Sequence, residues 1–337
     1  MKRIVELVLA VALIAAQPAF GQQQHFKVAN RVTLGGEGGW DYLTYDPDGH
    51  RLFITRGSHV MVVDTGTLKV TGDIPDLSGI HGVALAPELN RGFISNGGDN
   101  TVTVFDLKTL RKLDSAKVGE RPDAILYDAF SKRVFTFNAR SQDSTAIDVA
   151  TGKVAGSIPL GGKPEFPASD GKGKLYVNIE DKSEIAEIDV SKLQVLSTWS
   201  IAPCEEPSAL AFDVTHHRLF SGCHNKMMAV VNSDSGKVVA TVPIGEGVDA
   251  GRFNPNTHQV FMSCGEGVLT VIHEDSPDKY TVQQNVPTVQ GARTMALDKE
   301  NNVAYLVTAQ RESKPVAPGQ RPAMVPGTFE LIVVKPE

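Results

Sequence analysis

The chain has 337 residues, with 33 Lys and Arg against 39 Asp and Glu, a formal charge of -6 and 41% hydrophobic residues. That composition excludes general disorder, and the lack of a basic excess argues against a dedicated nucleic-acid binder. The only long apolar run sits at the extreme N-terminus, which excludes a polytopic helical membrane protein.

That run reads as an export signal. Lys2 and Arg3 give a basic start, with Glu6 at its edge, and Val8 to Ala16 form an apolar stretch too short for a lasting membrane helix. Ala19 and Gly21 place a cleavage site before Gln22, so residues 1–21 are expected to be removed. No Cys follows that would carry a lipid anchor. The mature chain then has 31 basic and 38 acidic residues and a charge of -7, and is expected to be periplasmic or secreted.

Next along the chain comes a repeat. A basic or polar residue, an apolar residue and an aromatic recur as RLFIT from Arg51, RGFISN from Arg91, RVFTFN from Arg133, KLYVNI from Lys174, RLFSGC from Arg218 and QVFMSC from Gln259. NVAYLVT from Asn302 is a weaker seventh copy. The aromatic anchors Phe53, Phe93, Phe135, Tyr176, Phe220, Phe261 and Tyr305 are spaced by 40, 42, 41, 44, 41 and 44 residues. Such a period marks a stacked repeat architecture.

Within a unit, an apolar strand such as HGVALAP from His81 leads through the turn PELN to the anchor strand. The turn GGDN from Gly97 and the alternating TVTVFD from Thr101 follow, and a segment like TGKVAGSIPLGG from Thr151 completes the unit. Period-2 alternation without a helical stripe predicts an all-β, seven-bladed propeller of four-stranded antiparallel blades. Unit seven runs out after TFELIVV from Thr328. KVANRVTLGG from Lys27 matches KVAGSIPLGG from Lys153, so residues 26–34 are expected to complete the last blade. Residues 22–337 then make a single propeller domain, monomeric because closure leaves no unpaired inner edge.

The anchor strands KLYVNI, RGFISN and RVFTFN, with the segments Val102 to Asp106 and Ala146 to Val154 that follow, resemble the YVTN-repeat family of bacterial β-propellers. The resemblance spans residues 26–337 and implies an exported binding propeller more readily than an enzyme. Cys223 and Cys264 depart from it, standing where Asn96 and Asn138 sit in other units.

In a propeller the first strand of each blade lines the axial channel. Counting twelve residues back from each anchor gives Asp41, His81, Asp123, Ser208, Asp249 and Arg293, with Glu165 as the equivalent in unit four. These residues are expected to share one channel mouth, with Trp40, Glu205 and Glu206 beside them. Any single acid there can merely bond neighbouring backbone N–H groups. As a set, the ring favours a cation or a cationic ligand. Asp41, Asp123, Glu165 and Asp249 would suit calcium or magnesium, although no contiguous liganding loop occurs.

The leading reading is a binding or scaffold module that takes a small molecule or a protein at this mouth. The alternative is a metal-assisted lyase or lactonase, with His81 as acid or base and Arg293 holding a substrate carboxylate. Nucleic-acid binding is disfavoured by the charge. His50, His216, His217 and His258 fall in polar turns and read as surface residues, while His224 lies nearer the mouth. No nucleophile elbow, HExxH, Walker loop or CxxCH occurs.

Of the three cysteines, Cys204 enters unit five and Cys223 ends its second strand, on one face of one blade. Strands paired about 4.8 Å apart fall within disulfide reach, whereas Cys223 and Cys264 lie on diverging blades. Cys204–Cys223 is the expected bridge and Cys264 a free buried thiol. Finally, residues 309–327 replace a tight turn with a Pro-rich loop bearing Arg311, Lys314 and Arg321, on the face of the mouth. Such a loop is a candidate lid or partner-binding arm.

Overall fold

A computed structural model of the chain describes residues 24–313 and 322–337. The expected export signal and the middle of the Pro-rich loop, with Lys314 and Arg321, lie outside the described residues.

The period near 42 resolves into seven four-stranded antiparallel sheets arranged as blades. Blade 1 runs Leu43–Asp46, Arg51–Thr55, Val60–Asp64 and Lys69–Ile74 from the axis outward, and blades 2 to 6 repeat that order. Turns between first and second strands are set by one left-handed residue, namely His50, Asn90, Lys132, Gly173, His217, His258 or Asn302. Placing Asn, His or Gly there keeps the steric cost low in most blades.

The core lies between blades. Anchors Phe53, Phe93, Phe135, Phe220 and Phe261 are fully buried, and Tyr176 and Tyr305 nearly so. Each pins one sheet against its neighbour, as Phe135 and Phe137 of blade 3 do against Leu175 and Val177 of blade 4. Burial on this scale is worth about 2 kcal/mol per aromatic. Outer strands such as Lys112–Lys117 are largely exposed and charged, which blunts a free edge.

Closure follows the expected route. Phe26–Thr33 pairs antiparallel with Glu330–Pro336, from Phe26 opposite Pro336 to Thr33 opposite Glu330, and completes the blade formed by Met295–Asp298 and Val303–Thr308. Arg31 donates two hydrogen bonds to Glu330, at 2.9 and 2.7 Å. Phe26 also sits edge-on against Phe261 of blade 6, at 5.4 Å between centroids.

The segment from this strand to blade 1 is held by Arg56, a guanidinium buried at 0% exposure. It donates to the carbonyls of Gly35, Glu37, Gly38 and Gly39 at 2.9 to 3.3 Å and lies 3.6 Å from the Phe329 ring centre. Gly38 is required here. Its φ is +85°, and a Cβ would fall 2.4 Å from the Arg56 carbonyl oxygen.

Cys204 and Cys223 form the disulfide, with Cα atoms 5.6 Å apart, and Cys264 is a free, buried thiol. Burial pushes the Cys264 thiol up to about 12. Among the described residues, no helix is long and apolar enough to cross a membrane.

Candidate functional site at the axial channel

Each first strand begins at one end of the axis, so the residues there are brought into a ring. Four of the seven are fixed by the blade before them. Thr55 donates to the His81 carbonyl at 2.8 Å, Ser95 to that of Asp123 at 2.6 Å and Asn178 to that of Ser208 at 3.1 Å. Ser263 likewise donates to the Arg293 carbonyl. All four donors stand two residues after an aromatic anchor, where the remaining blades have Phe137, Gly222 and Val307.

The side chains then pair around the mouth. His81 Nδ1 lies 2.7 Å from Asp41 Oδ2 and 3.5 Å from Asp123 Oδ1. Its ring rests on Gly97, where a Cβ would come within 2.8 Å of the imidazole. Arg293 Nε is 2.6 Å from Asp249 Oδ2, and Ser208 donates to Asp249 Oδ1 at 3.3 Å. Lys163 Nζ is 2.8 Å from Glu165 and also contacts Glu180.

Recession of these groups shifts their proton affinities. Burial, with the Asp249 charge behind it, raises Asp41 against the pull of His81. Burial likewise raises Asp123. Burial and then Asp123 push Glu165 up to about 8, despite Lys163. For His81, burial opposes the charge, but the Asp41 hydrogen bond and the Asp123 charge prevail and raise it. The mouth therefore favours a cation while holding a proton of its own.

Next to the ring, the inner strands enclose a cavity of about 290 Å³ lined by Tyr42, Leu126, Phe166, Phe212, Arg252 and Lys299 among others. Tyr42 and Phe166 pack edge-on at 4.8 Å. Arg252 lies 4.9 Å from the Phe166 ring centre and donates to the carbonyl of Gly251 at 2.7 Å. Among the described residues no carboxylate lies within ion-pair distance of Arg252. Burial lowers its guanidinium to about 10, and burial with the Arg252 charge lowers Lys299.

Sequence reasoning missed Arg252, Lys163 and Lys299. For Arg252 the signal exists. It stands directly across from anchor Phe261, and the other blades place Thr44, Ala84, Leu126, Ala168, Ala211 and Ala296 in that register.

Three residues expected beside the ring are not among its paired side chains. Trp40 is 7% exposed, packed against Phe329 at 5.7 Å, with Arg311 over its face at 4.7 Å. It is part of the seam between blades 7 and 1, because it precedes the inner strand and turns outward. Glu205 and Glu206 are exposed on the rim, Glu206 beside His224 at 3.2 Å. The described ends of the Pro-rich loop fold into a short stem, with Arg311 bridged to Met324 and donating to the Pro322 carbonyl at 2.9 Å.

No family model and no curated protein matches the chain. Solved structures do. Over 80% of this chain and 92% of the other, it resembles a chain of hydrazine synthase from Kuenenia stuttgartiensis, with 18% identity and a TM-score of 0.69. The WD40 repeats of RRP9 match 93% of this chain and 100% of theirs, at 9% identity and a TM-score of 0.78. A chain of the mitotic checkpoint complex matches 90% of this chain and 95% of its own, at 13% identity and a TM-score of 0.73. At such identities the likeness carries the fold alone, a β-propeller.

Proposed function

We propose that this chain is an exported binding propeller of the YVTN-repeat kind whose axial channel takes a small ligand with a cationic group at the mouth and an anionic group below it. The observation that carries this reading is Arg252, a recessed guanidinium without a carboxylate partner, beneath a ring of four acids. Asp249 and Arg252 lie three residues apart on one strand, so the two charged levels are separated by about 10 Å. Tyr42 and Phe166 supply an apolar waist between them. A cavity of about 290 Å³ suits a metabolite-sized occupant. The Cys204–Cys223 disulfide supports an oxidising compartment, in line with the N-terminal signal.

The test is calorimetry with three ligand sets: amines, carboxylates, and compounds carrying both groups. The third set is expected to bind best, with affinity falling at least tenfold in Arg252→Met and in Asp41→Asn/Asp123→Asn. Saturable binding that ignores both variants would sink the reading.

One observation favours a second reading, the metal-assisted lyase or lactonase. Asp41, His81 and Asp123 offer ligand atoms all within 4.8 Å of one another, a grouping that could hold a metal ion. Arg293 Nε is paired with Asp249, so a substrate carboxylate would have to use the remaining guanidinium donors. Lactone turnover that needs a divalent cation and is lost in Asp41→Asn would establish the second reading over the first.

A further inference from the structure

At the opposite end of the inner strands, the seam between blades 5 and 6 gathers a different set of groups. Asp213 ends the strand that begins at Pro207, beside the mouth residue Ser208. His216 follows in the next turn, His258 sits in the equivalent turn of blade 6, and Glu274 lies on the third strand of that blade. His216 Nδ1 is 2.7 Å from Asp213 Oδ2 and 3.4 Å from Glu274 Oε1. His258 Nδ1 is 3.6 Å from Glu274 Oε2, and the two imidazoles stack at 5.9 Å. The donor atoms of His216, His258 and Glu274 all lie within 4.8 Å of one another.

The repeat serves as an internal control. Four blades place Asp at the end of the inner strand. Asp46, Asp128 and Asp298 each have both oxygens hydrogen-bonded, to Gly49 and Arg51, to Ser131 and Ser169, and to Tyr45 and Asn301 respectively. Asp213, only 2% exposed, has Thr215 N–H on Oδ1 and no hydrogen-bond partner for Oδ2, which faces His216 Nδ1. Arg218, which stands where Arg51 serves Asp46, turns away to Asp278 at 2.8 Å.

Glu274 is just as anomalous. Its backbone N–H bonds the carbonyl of His258, as those of Leu107, Val149 and Val190 bond Asn90, Lys132 and Gly173. Blades 2 to 4 thus fill this slot with a buried aliphatic group and blades 1 and 5 with Thr65 and Ser233, whereas blade 6 alone among these fills it with a carboxylate, 4% exposed. Tyr280 donates to its Oε1 at 3.3 Å, and Oε2 has no hydrogen-bond partner. His216 Nδ1 also lacks hydrogen-bond geometry toward the oxygen 2.7 Å away. Three buried polar atoms, Asp213 Oδ2, His216 Nδ1 and Glu274 Oε2, therefore converge without hydrogen-bond geometry toward one another. Leaving each bare is expensive, and a shared cation satisfies all of them.

We propose that Asp213, His216, His258 and Glu274 form a binding site for a divalent first-row transition metal, zinc foremost, that ties blade 5 to blade 6. Two imidazole nitrogens and two carboxylate oxygens are the donor set of a four-coordinate zinc-class site rather than of calcium or magnesium. The two carboxylates balance the charge of the ion. This site is separate from the mouth and does not depend on the ligand reading given above.

The experiment uses the whole folded chain, stripped with chelator and titrated with zinc chloride by calorimetry and thermal melting, with cobalt(II) as a spectroscopic probe. Wild type is expected to take up zinc here, to melt several degrees higher with it, and to give the visible absorption of a tetrahedral cobalt site. His258→Asn keeps the left-handed turn, as Asn90 and Asn302 do. Glu274→Val restores the aliphatic slot. Both should weaken zinc at least about 100-fold, since even outer-shell changes cost 10- to 100-fold. Metal-free Glu274→Val should melt no lower than metal-free wild type. Absence of zinc uptake at micromolar concentration overturns the proposal. So does uptake unchanged in both variants, or uptake lost only in Asp41→Asn, which would put the metal at the mouth.

Discussion

Replacing Arg56 by Ala tests how the propeller's closing segment is held. The guanidinium makes four hydrogen bonds to the carbonyls of Gly35, Glu37, Gly38 and Gly39. Bonds to a charged donor are worth about 1.5–3 kcal/mol each. Against them stands the burial that lowers the side chain to about 10, which at 1.36 kcal/mol per pKa unit costs on the order of 3 kcal/mol. The variant also loses the Phe329 contact and leaves the carbonyls without donors. A net loss of about 3–5 kcal/mol follows, the range seen when one partner of a buried charged network is removed. Arg56→Lys should recover part of it, because an ammonium offers three donors but not the planar fork. Equilibrium denaturation in urea gives the stability, and hydrogen exchange over residues 35–39 reports the segment directly. An Arg56→Ala protein within about 1 kcal/mol of wild type, with unchanged exchange there, would refute the reasoning.

Three further outcomes are expected. Converting Cys204 and Cys223 to Ala should cost on the order of 3 kcal/mol on the chain-entropy model, while Cys264 resists alkylation until unfolding; a peptide linking Cys264 to either would overturn the pairing. Deleting residues 26–34 exposes the edge of the last blade, so the protein should aggregate or lose cooperative melting, and an unchanged melting curve would contradict closure. Glu165 has a folded pKa near 8, above its unfolded value, so its contribution is fully present below about pH 4.5 and lost as pH rises through 8. Glu165→Gln should therefore gain on wild type between those limits in pH-dependent melting, and parallel curves would refute the assignment.

How much of this was legible follows from where the repeat speaks. Aromatic anchors and turn residues recur, so blade number and strand order could be counted. Closure was legible because residues 27–36 duplicate an internal fourth strand. The disulfide followed from strand adjacency alone. Counting back from the anchors also brought His81 together with Asp41 and Asp123, and Asp249 with Ser208 and Arg293, since each first strand starts at the same height. Trp40 escaped because it precedes its strand, where no pleat dictates which way a side chain turns. Lys163 escaped because a lysine in a loop gives no sign of reaching inward to Glu165. His216 and His258 read as ordinary turn residues, and only the carboxylates buried behind them change that reading.

The departures from the repeat share a physical logic. Arg252 in a column of small or aliphatic residues, and Glu274 in a slot held by Thr65, Leu107, Val149, Val190 and Ser233 in blades 1 to 5, each place an ionisable group where those blades have an uncharged one. Such placements cost stability unless a partner of opposite charge arrives. A propeller tolerates them because stability in a repeat architecture is approximately a sum of unit and nearest-neighbour contributions. The cost of Arg252 falls on the channel wall of blade 6, and that of Glu274 on one seam, while the anchors of the other blades stay packed. Sequence change can therefore try a charged group in one blade without unfolding the ring. In this fold, a charged residue that stands alone in its column is stronger evidence for a ligand than an acid that recurs around the axis.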